Sequence, residues 1–234
     1  MTASRIRIVS VLPGLLGTYG DGGNVLVLER RLAWRGVDVE VVTTTVDDPL
    51  PVGGDLYVLG GGEDEAQVLA LKLLRGAGLA TVLERGTPVL AVCAGLQLLG
   101  SMLVVGDGTV VPGLDVLDLS TGRLERRAVG EVIARPGLGL PQLTGFANHG
   151  GATVLGPAAQ PFARVLSGPG NAGHADPDEG VLQGSVVGTY LHGPVLARNP
   201  ALADLLLTRA HGGPLPDLPA GPPEALHAER LADR

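Results

Sequence analysis

Four short strand-like runs, interleaved with stretches of helical periodicity, limit the first hundred residues to very few folds. RIRIVSVL (5–12), VDVEVVTT (37–44), DLYVLG (55–60) and PVLAVC (88–93) each have the length and composition of a strand. After them, residues 24–34, 66–74, 79–84 and 94–103 carry apolar side chains at helical spacing, as with Val25, Leu28 and Leu32. Strands alternating with helices predict an α/β fold: an open, mostly parallel sheet with helices on both faces. The pattern changes after residue 103. LDVLDLS, EVIAR, LTGFANH, ARVLS and SVVGTYLH are short β-like segments among glycines, and they predict added antiparallel strands in the second half. NPALADLLLTRAHG (199–212) predicts a last helix, with Asn199 as cap, Pro200 in the first turn and Gly212 as stop. The expected division is one domain over 1–212 and a proline-rich tail over 213–234, flexible or held by a partner.

A chain of 234 residues can bury a full core. Its net charge of −7 argues against sequence-independent nucleic-acid binding, which needs a basic face. A single cysteine excludes an internal disulfide framework and a cysteine-rich zinc site, and no metal is expected. The uncharged window Gly86–Gly106 is long enough to cross a bilayer, but Pro88, Gly95, Gln97, Gly100 and Ser101 divide it into a strand and a helix. No membrane span is expected. The N-terminus reads as a strand instead of a signal peptide, so the expected location is cytoplasmic.

The single cysteine, Cys93, ends the fourth predicted strand in LAVCAGLQLLG (90–100). Ligands of an open parallel sheet bind beyond the carboxyl ends of its strands. A sharp strand-to-helix turn there pushes a side chain into the crevice, and the start of a helix favours a thiolate. Ala94 and Gly95 leave room for a substrate, and the Ala94 N–H is a natural oxyanion donor. Gly60-Gly61-Gly62, after the third strand, reaches the same edge and offers a second donor. These residues equally fit a small buried thiol and a tight turn. A cysteine nucleophile wants a histidine. His149 and His192 each end a β-like run, and the longer apolar run before His192 makes it the better placed. His211 and His227 are expected to face solvent, and His174 sits in GNAGHADPDEG, whose acids read as a solvated loop. Asp21 or Asn24 either caps the next helix or takes part in substrate binding. Glu63, Asp64 and Glu65 suit a helix N-terminus.

GTYGDGGN (17–24), LGGGEDE (59–65), LAVCAGLQLLG (90–100), GFANHGG (145–151) and GTYLHGPVLARNPALADLLL (188–207) stand in this order along the chain. Together they resemble the class I glutamine amidotransferases, specifically the cobyric-acid-synthase-like group and, within it, the glutaminase subunits of lipid II isoglutaminyl synthases. The resemblance implies a flavodoxin-like fold in which Cys93 attacks the side-chain amide of L-glutamine, giving a thioester and ammonia. It implies His192 as base for the thiol and acid for the leaving nitrogen, with Ala94, Gly61 and Gly62 around the oxyanion. Gln97 matches the glutamine-contacting position. Asn148, Gly150 and Gly151 match the segment that receives the amino-acid end, and Arg127 matches an arginine near the substrate, where a guanidinium suits a carboxylate.

Two positions depart from the family pattern. Ala94 replaces a common glycine but keeps its N–H. Pro194 stands where most members carry a carboxylate two residues after the histidine, and no acid follows until Asp204. Either Cys93 and His192 act as a dyad, or an acid arrives from elsewhere; the resemblance implies one donated by a partner chain, and therefore weak glutaminase activity alone. The chain has no G-x-x-x-x-G-K-[ST] loop, and its one lysine, Lys72, lies in an apolar helical stretch. No cofactor is expected in this chain. ATP and Mg are expected in a Mur-ligase-like synthetase partner that amidates D-glutamate of lipid II in peptidoglycan synthesis. Corrinoid amidation, and a non-catalytic regulatory subunit of the same fold, stand as alternatives.

Overall fold

The computed structural model describes residues 5–76 and 78–232. The apolar runs form β1 (Ile6–Val11), β2 (Val39–Thr43), β3 (Leu56–Leu59) and β4 (Val89–Val92). Their connections hold α1 (Gly22–Trp34), α2 (Asp64–Leu74) and α3 (Leu79–Glu84), and α4 (Ala94–Leu99) follows β4. The second half runs β5 (Met102–Val104), β6 (Val110–Pro112), β7 (Leu119–Pro136), β8 (Leu143–Leu155), β9 (Ala163–Ser167), β10 (Asp178–Glu179), β11 (Val181–Gln183), β12 (Val186–Thr189) and β13 (Leu191–His192). It closes with α5 (Val195–Arg198), α6 (Pro200–His211) and α7 (Pro222–Ala232).

One sheet has the order β11-β12-β4-β3-β1-β2, and every pair in it is parallel except β11 with β12. β3, β4 and β12 are buried at every position, as strands covered on both faces must be. α1 and α6 pack together and cover β1, β2 and β3, while α4 lies on β3, β4 and β12 with α2 beside it. Gly95 sets how closely α4 approaches. A Cβ there would stand 2.7 Å from the Leu59 carbonyl oxygen and 2.8 Å from Leu59 Cβ. Gly95→Ala is therefore expected to cost about 1–3 kcal/mol, the usual penalty of overpacking, read as a lower urea midpoint at unchanged slope.

The second sheet is antiparallel apart from one β5–β7 pairing, with the order β10-β9-β7-β5-β6, β8 on β7 and β13 on β8. Here the structure departs from the sequence expectation in four places. LDVLDLS and EVIAR are not separate strands; the last two residues of the first and all of the second belong to the 18-residue β7. The helix after Cys93 stops at Leu99, because Gly100 is extended and the chain enters β5. SVVGTYLH is split: β12 lies parallel to β4 inside the first sheet, and β13 belongs to the second. The uncharged window is accordingly β4, α4 and β5, and no described helix is long and apolar enough to cross a membrane.

The fourth departure is the tail. Gly212 ends α6 in the left-handed region (φ 72°), but α7 then folds back on α5, α6 and β8. Glu224 bonds to the buried Arg31 at 3.2 Å, and Arg31 also forms a bidentate pair with Asp204 at 2.7 Å. His227, expected at the surface, is half-buried and donates from Nδ1 to the Arg198 carbonyl at 2.7 Å. Asn199 precedes α6 without capping it; its side chain joins α5 to β8 through Thr144 N, Thr144 O and Val195 O.

Candidate active site

Cys93 lies between the last residue of β4 and the first of α4, with φ 52° and ψ −106°, a conformation strained for a side chain with a Cβ. Neighbouring backbone holds it there. Its N–H donates to Thr189 O of β12 at 2.8 Å, and the Gly95 N–H donates to Gly60 O after β3 at 3.0 Å. The sulfur is thus fixed by three adjacent strands at their carboxyl edge. The Ala94 N–H, at the first position of α4, is one of the donors that a helix start leaves unpaired.

The base reaches Cys93 because the chain changes sheet between β12 and β13. Glu179 holds that crossing: its Oε1 accepts from Thr189 Oγ1 and from the Tyr190 N–H, each at 2.7 Å. β13 then pairs His192 with Phe146 of β8. His192 is 2% exposed, and its Nδ1 lies 3.1 Å from both carboxylate oxygens of Asp21, which is 1% exposed. Asp21 Oδ2 also accepts the Gly61 N–H at 2.8 Å. A Cβ placed on Gly61 would stand 2.9 Å from Asp21 Oδ2, 3.1 Å from His192 Cε1 and 3.6 Å from Cys93 Cβ. The three side chains therefore converge on one point.

His192 Nε2 is buried and has no hydrogen-bond partner among the described residues. Burial acts to lower the His192 pKa, but Asp21 on one side and Cys93 on the other outweigh it and raise it to about 9. His149 behaves oppositely. It stacks on Tyr190 at 3.8 Å, its Nδ1 donates to Gly151 O at 2.8 Å, and burial pushes its pKa down to about 4. It is a neutral core histidine.

A carboxylate of this chain, that of Asp21, faces His192 Nδ1. Asp21 precedes α1 without a side-chain capping bond; its carboxylate turns to His192 instead. Asn24 does not cap α1 either, since its Oδ1 accepts the Leu196 N–H of α5 at 3.0 Å. Gly23, lacking a Cβ, lies directly against the Pro194 ring. Gly61, expected to donate to an oxyanion, has its N–H engaged by Asp21.

The expected substrate contacts fall into two groups. Gln97 is tied at both ends: its Oε1 accepts from Gln67 Nε2 and its Nε2 donates to Tyr190 OH, each at 3.1 Å. Tyr190 continues to Thr153 at 2.6 Å, and Gly151 leaves the space that the Gln97 amide fills. Arg127 sits in the bulge between Arg123 and Ala128 of β7, which aims it across the sheet end. Its Nε donates to Asn148 Oδ1 at 2.5 Å and its Nη2 to Asn148 O at 3.1 Å, with Gly150 alongside. Among the described residues, no cluster of three His, Cys, Asp or Glu side chains is arranged to hold a metal.

Glu179 was hidden among acids that read as a solvated loop. It is 1% exposed, its Oε2 has no partner among the described residues, and burial raises its pKa to about 7. An acid whose folded pKa is raised costs stability once pH exceeds its unfolded value, near 4.5, and costs it fully above about 7. Glu179→Gln keeps the Oε1 bonds, so its effect on Tm relative to wild type is expected to be more favourable at pH 8 than at pH 5.

The fold is that of the class I glutamine amidotransferases. A solved glutamine amidotransferase superposes with TM-score 0.59 at 23% identity, covering 86% of this chain and 98% of that one. The glutaminase domain of Trypanosoma brucei CTPS with bound acivicin superposes with TM-score 0.55 at 12% identity, covering 92% and 96%. Residues 7–200 match the CobB/CobQ-like glutamine amidotransferase domain, and the chain belongs to that family. Among its relatives, the lipid II isoglutaminyl synthase (glutamine-hydrolyzing) subunit GatD of Staphylococcus aureus is 34% identical over 209 residues, 88% of this chain and 84% of that protein. The GatD subunit of Streptococcus pneumoniae is 32% identical over 210 residues, 88% of this chain and 80% of that protein. The cobyric acid synthase of Sphingopyxis alaskensis is 31% identical over 182 residues, covering 73% of this chain and 35% of that protein.

Proposed function

We propose that this glutamine amidotransferase is the glutaminase half of an enzyme that amidates lipid II. The observation that carries the chemistry is the convergence of Cys93, His192 and Asp21 on Gly61. His192 takes the thiol proton as Cys93 Sγ attacks the side-chain carbonyl carbon of L-glutamine, and the carbonyl electron pair moves to oxygen. The N–H groups of Ala94 and Gly62 are the donors for that oxyanion, since Asp21 holds Gly61. His192 gives a proton to the nitrogen, the C–N bond breaks, and ammonia leaves a Cys93 thioester. Water then attacks the thioester with His192 as base, releasing glutamate and the free thiol. Asp21 holds the imidazole orientation and stabilises its protonated form.

The acceptor is assigned through relatives. The two GatD subunits span nearly the same length as this chain, whereas it covers about a third of the cobyric acid synthase. That difference favours a separate synthetase partner, a Mur-ligase-like chain that uses ATP and Mg to activate the D-glutamate carboxylate and takes up the ammonia. Corrinoid amidation is the second reading, supported by the cobyric acid synthase relative. The test is twofold. L-glutamine should yield glutamate and ammonia, with 6-diazo-5-oxo-L-norleucine labelling Cys93 one to one. Purification from the native cell should bring down a Mur-ligase-like chain, and the pair should convert lipid II to its amidated form. Absence of Cys93 labelling ends the glutaminase reading; activity on a corrinoid acid and none on lipid II moves the acceptor to the second.

A further inference from the structure

Behind the catalytic pair, two segments far apart in the chain run side by side through contacts that no catalytic step employs. Asp21 faces His192, Gly23 lies against the Pro194 ring, and Asn24 Oδ1 accepts the Leu196 N–H at 3.0 Å. Asp21 and Asn24 belong to one turn at the start of α1, where the Asn24 N–H donates to Asp21 O at 2.9 Å. His192 ends β13, and Leu196 stands in the first turn of α5, whose free N–H groups Pro194 has no side-chain acceptor to meet. Asn24 supplies that acceptor from another helix. Between His192 and α5 stands Gly193 at φ 135°, a conformation that favours glycine. The far end of α5 is fixed as well: Arg198 pairs with Glu131 at 2.8 Å, and Asn199 Nδ2 donates to Val195 O at 2.7 Å. Asn24 is 0% exposed, and its Nδ2 has no partner among the described residues. A buried N–H left unpaired is costly, so the bond to α5 is what this amide gains in return.

Resting on the glutaminase proposal, we infer that Asn24 is a positioning residue: it ties the turn carrying Asp21 to the helix that follows His192, and so holds the carboxylate at Nδ1. The acid and the base come from different elements, α1 and β13, so the 3.1 Å between them depends on how those elements are joined. The other Asp21 bond, from the Gly61 N–H, fixes the acid to the glycine turn and not to the base. Gly23 against Pro194 sets the closest approach of the two segments, and the Asn24 bond supplies the attraction that keeps them there. Without it, the start of α1 can draw away from α5 while each retains its own backbone bonds. Asn24 itself touches neither the imidazole nor the thiol, and it acts through Asp21.

The test uses the full chain and two readings, turnover and the titration of His192. Asn24→Ala retains a good helix former and should lower Tm by about 2–4 °C, as a lost cap does. Its kcat for L-glutamine hydrolysis should fall about 10- to 100-fold, the cost of a misplacement of roughly 1 Å, with KM within about twofold of wild type. His192, followed by NMR and assigned by its loss in His192→Ala, has its pKa raised to about 9 with Asp21 in place. That midpoint should drop by about one pH unit in Asn24→Ala, whereas a merely structural asparagine would lower Tm and leave it where it is. In an Asp21→Asn background, Asn24→Ala should move the midpoint no further, because the carboxylate it acts through is gone. Asn24→Asp, which caps as well as asparagine, should keep kcat within about fivefold of wild type. An unmoved midpoint in Asn24→Ala, an equal drop with and without Asp21, or equal losses of kcat in the alanine and aspartate variants overturns the assignment. Wild type that hydrolyses no glutamine, while Asn24→Ala still moves the midpoint, overturns the glutaminase proposal and leaves the tie between the segments standing.

Discussion

Cys93→Ala is expected to leave no glutamine hydrolysis above background, a fall on the order of a million-fold in kcat, as when a nucleophile is removed from a catalytic triad. The size of the effect follows from the route. Without the thiol there is no thioester, and the remaining donors can only polarise an amide that nothing attacks. Folding should survive, because alanine keeps the one carbon that packs at this 6%-exposed position. Cys93→Ser is the more searching variant. It preserves the elbow and the bond from residue 93 to Thr189 O, but a hydroxyl is a far weaker nucleophile than a thiolate. Both variants should unfold at close to the wild-type temperature and bind L-glutamine by calorimetry. Substantial turnover by either one would place the nucleophile elsewhere.

The parts of this site visible in the sequence are those specified locally. Runs of strand length gave β1 to β4 within a residue or two: β3 and β4 are apolar throughout because both their faces are buried, while the edge strand β2 showed itself by alternation. Cys93 was marked by its place between such a run and a helix. His192 was marked by the apolar run before it, although the run was taken for one strand. The break at Tyr190 is imposed by Glu179, a residue on another strand whose burial no local pattern signals. Asp21 was hidden for a similar reason. An aspartate just before a helix usually caps it, and its partner His192 lies 171 residues away. In the second sheet, β7 pairs with β9 and β8 with β13, across segments that no local pattern joins. β7 and β8 owe their length to each other, and neither carries a long alternating pattern of its own. The tail was judged by its prolines, yet Glu224 and His227 tie it to Arg31 and Arg198.

Asp21→Asn is expected to lower kcat by about 10³- to 10⁴-fold, the loss seen when a triad aspartate becomes its amide. The amide has no charge to stabilise an imidazolium, and an N–H turned toward Nδ1 selects the wrong tautomer. With Asp21 gone, burial opposes a proton on His192 with one counterweight fewer, so its pKa should fall from about 9. The stability consequence has a definite sign. A histidine whose folded pKa is raised contributes its full stabilisation below the unfolded value, near 6.5, and loses it as pH rises through about 9. The difference in Tm between wild type and Asp21→Asn should therefore be larger at pH 6 than at pH 9. The decisive comparison is made with and without the synthetase partner. Asp21 is buried against both the imidazole and the Gly61 N–H, so the kcat deficit should be the same in the isolated chain and in the complex. Recovery of near wild-type turnover by Asp21→Asn on adding the partner would instead show that the partner brings its own carboxylate to His192. Asp21 would then hold the glycine turn in place without serving as the acid.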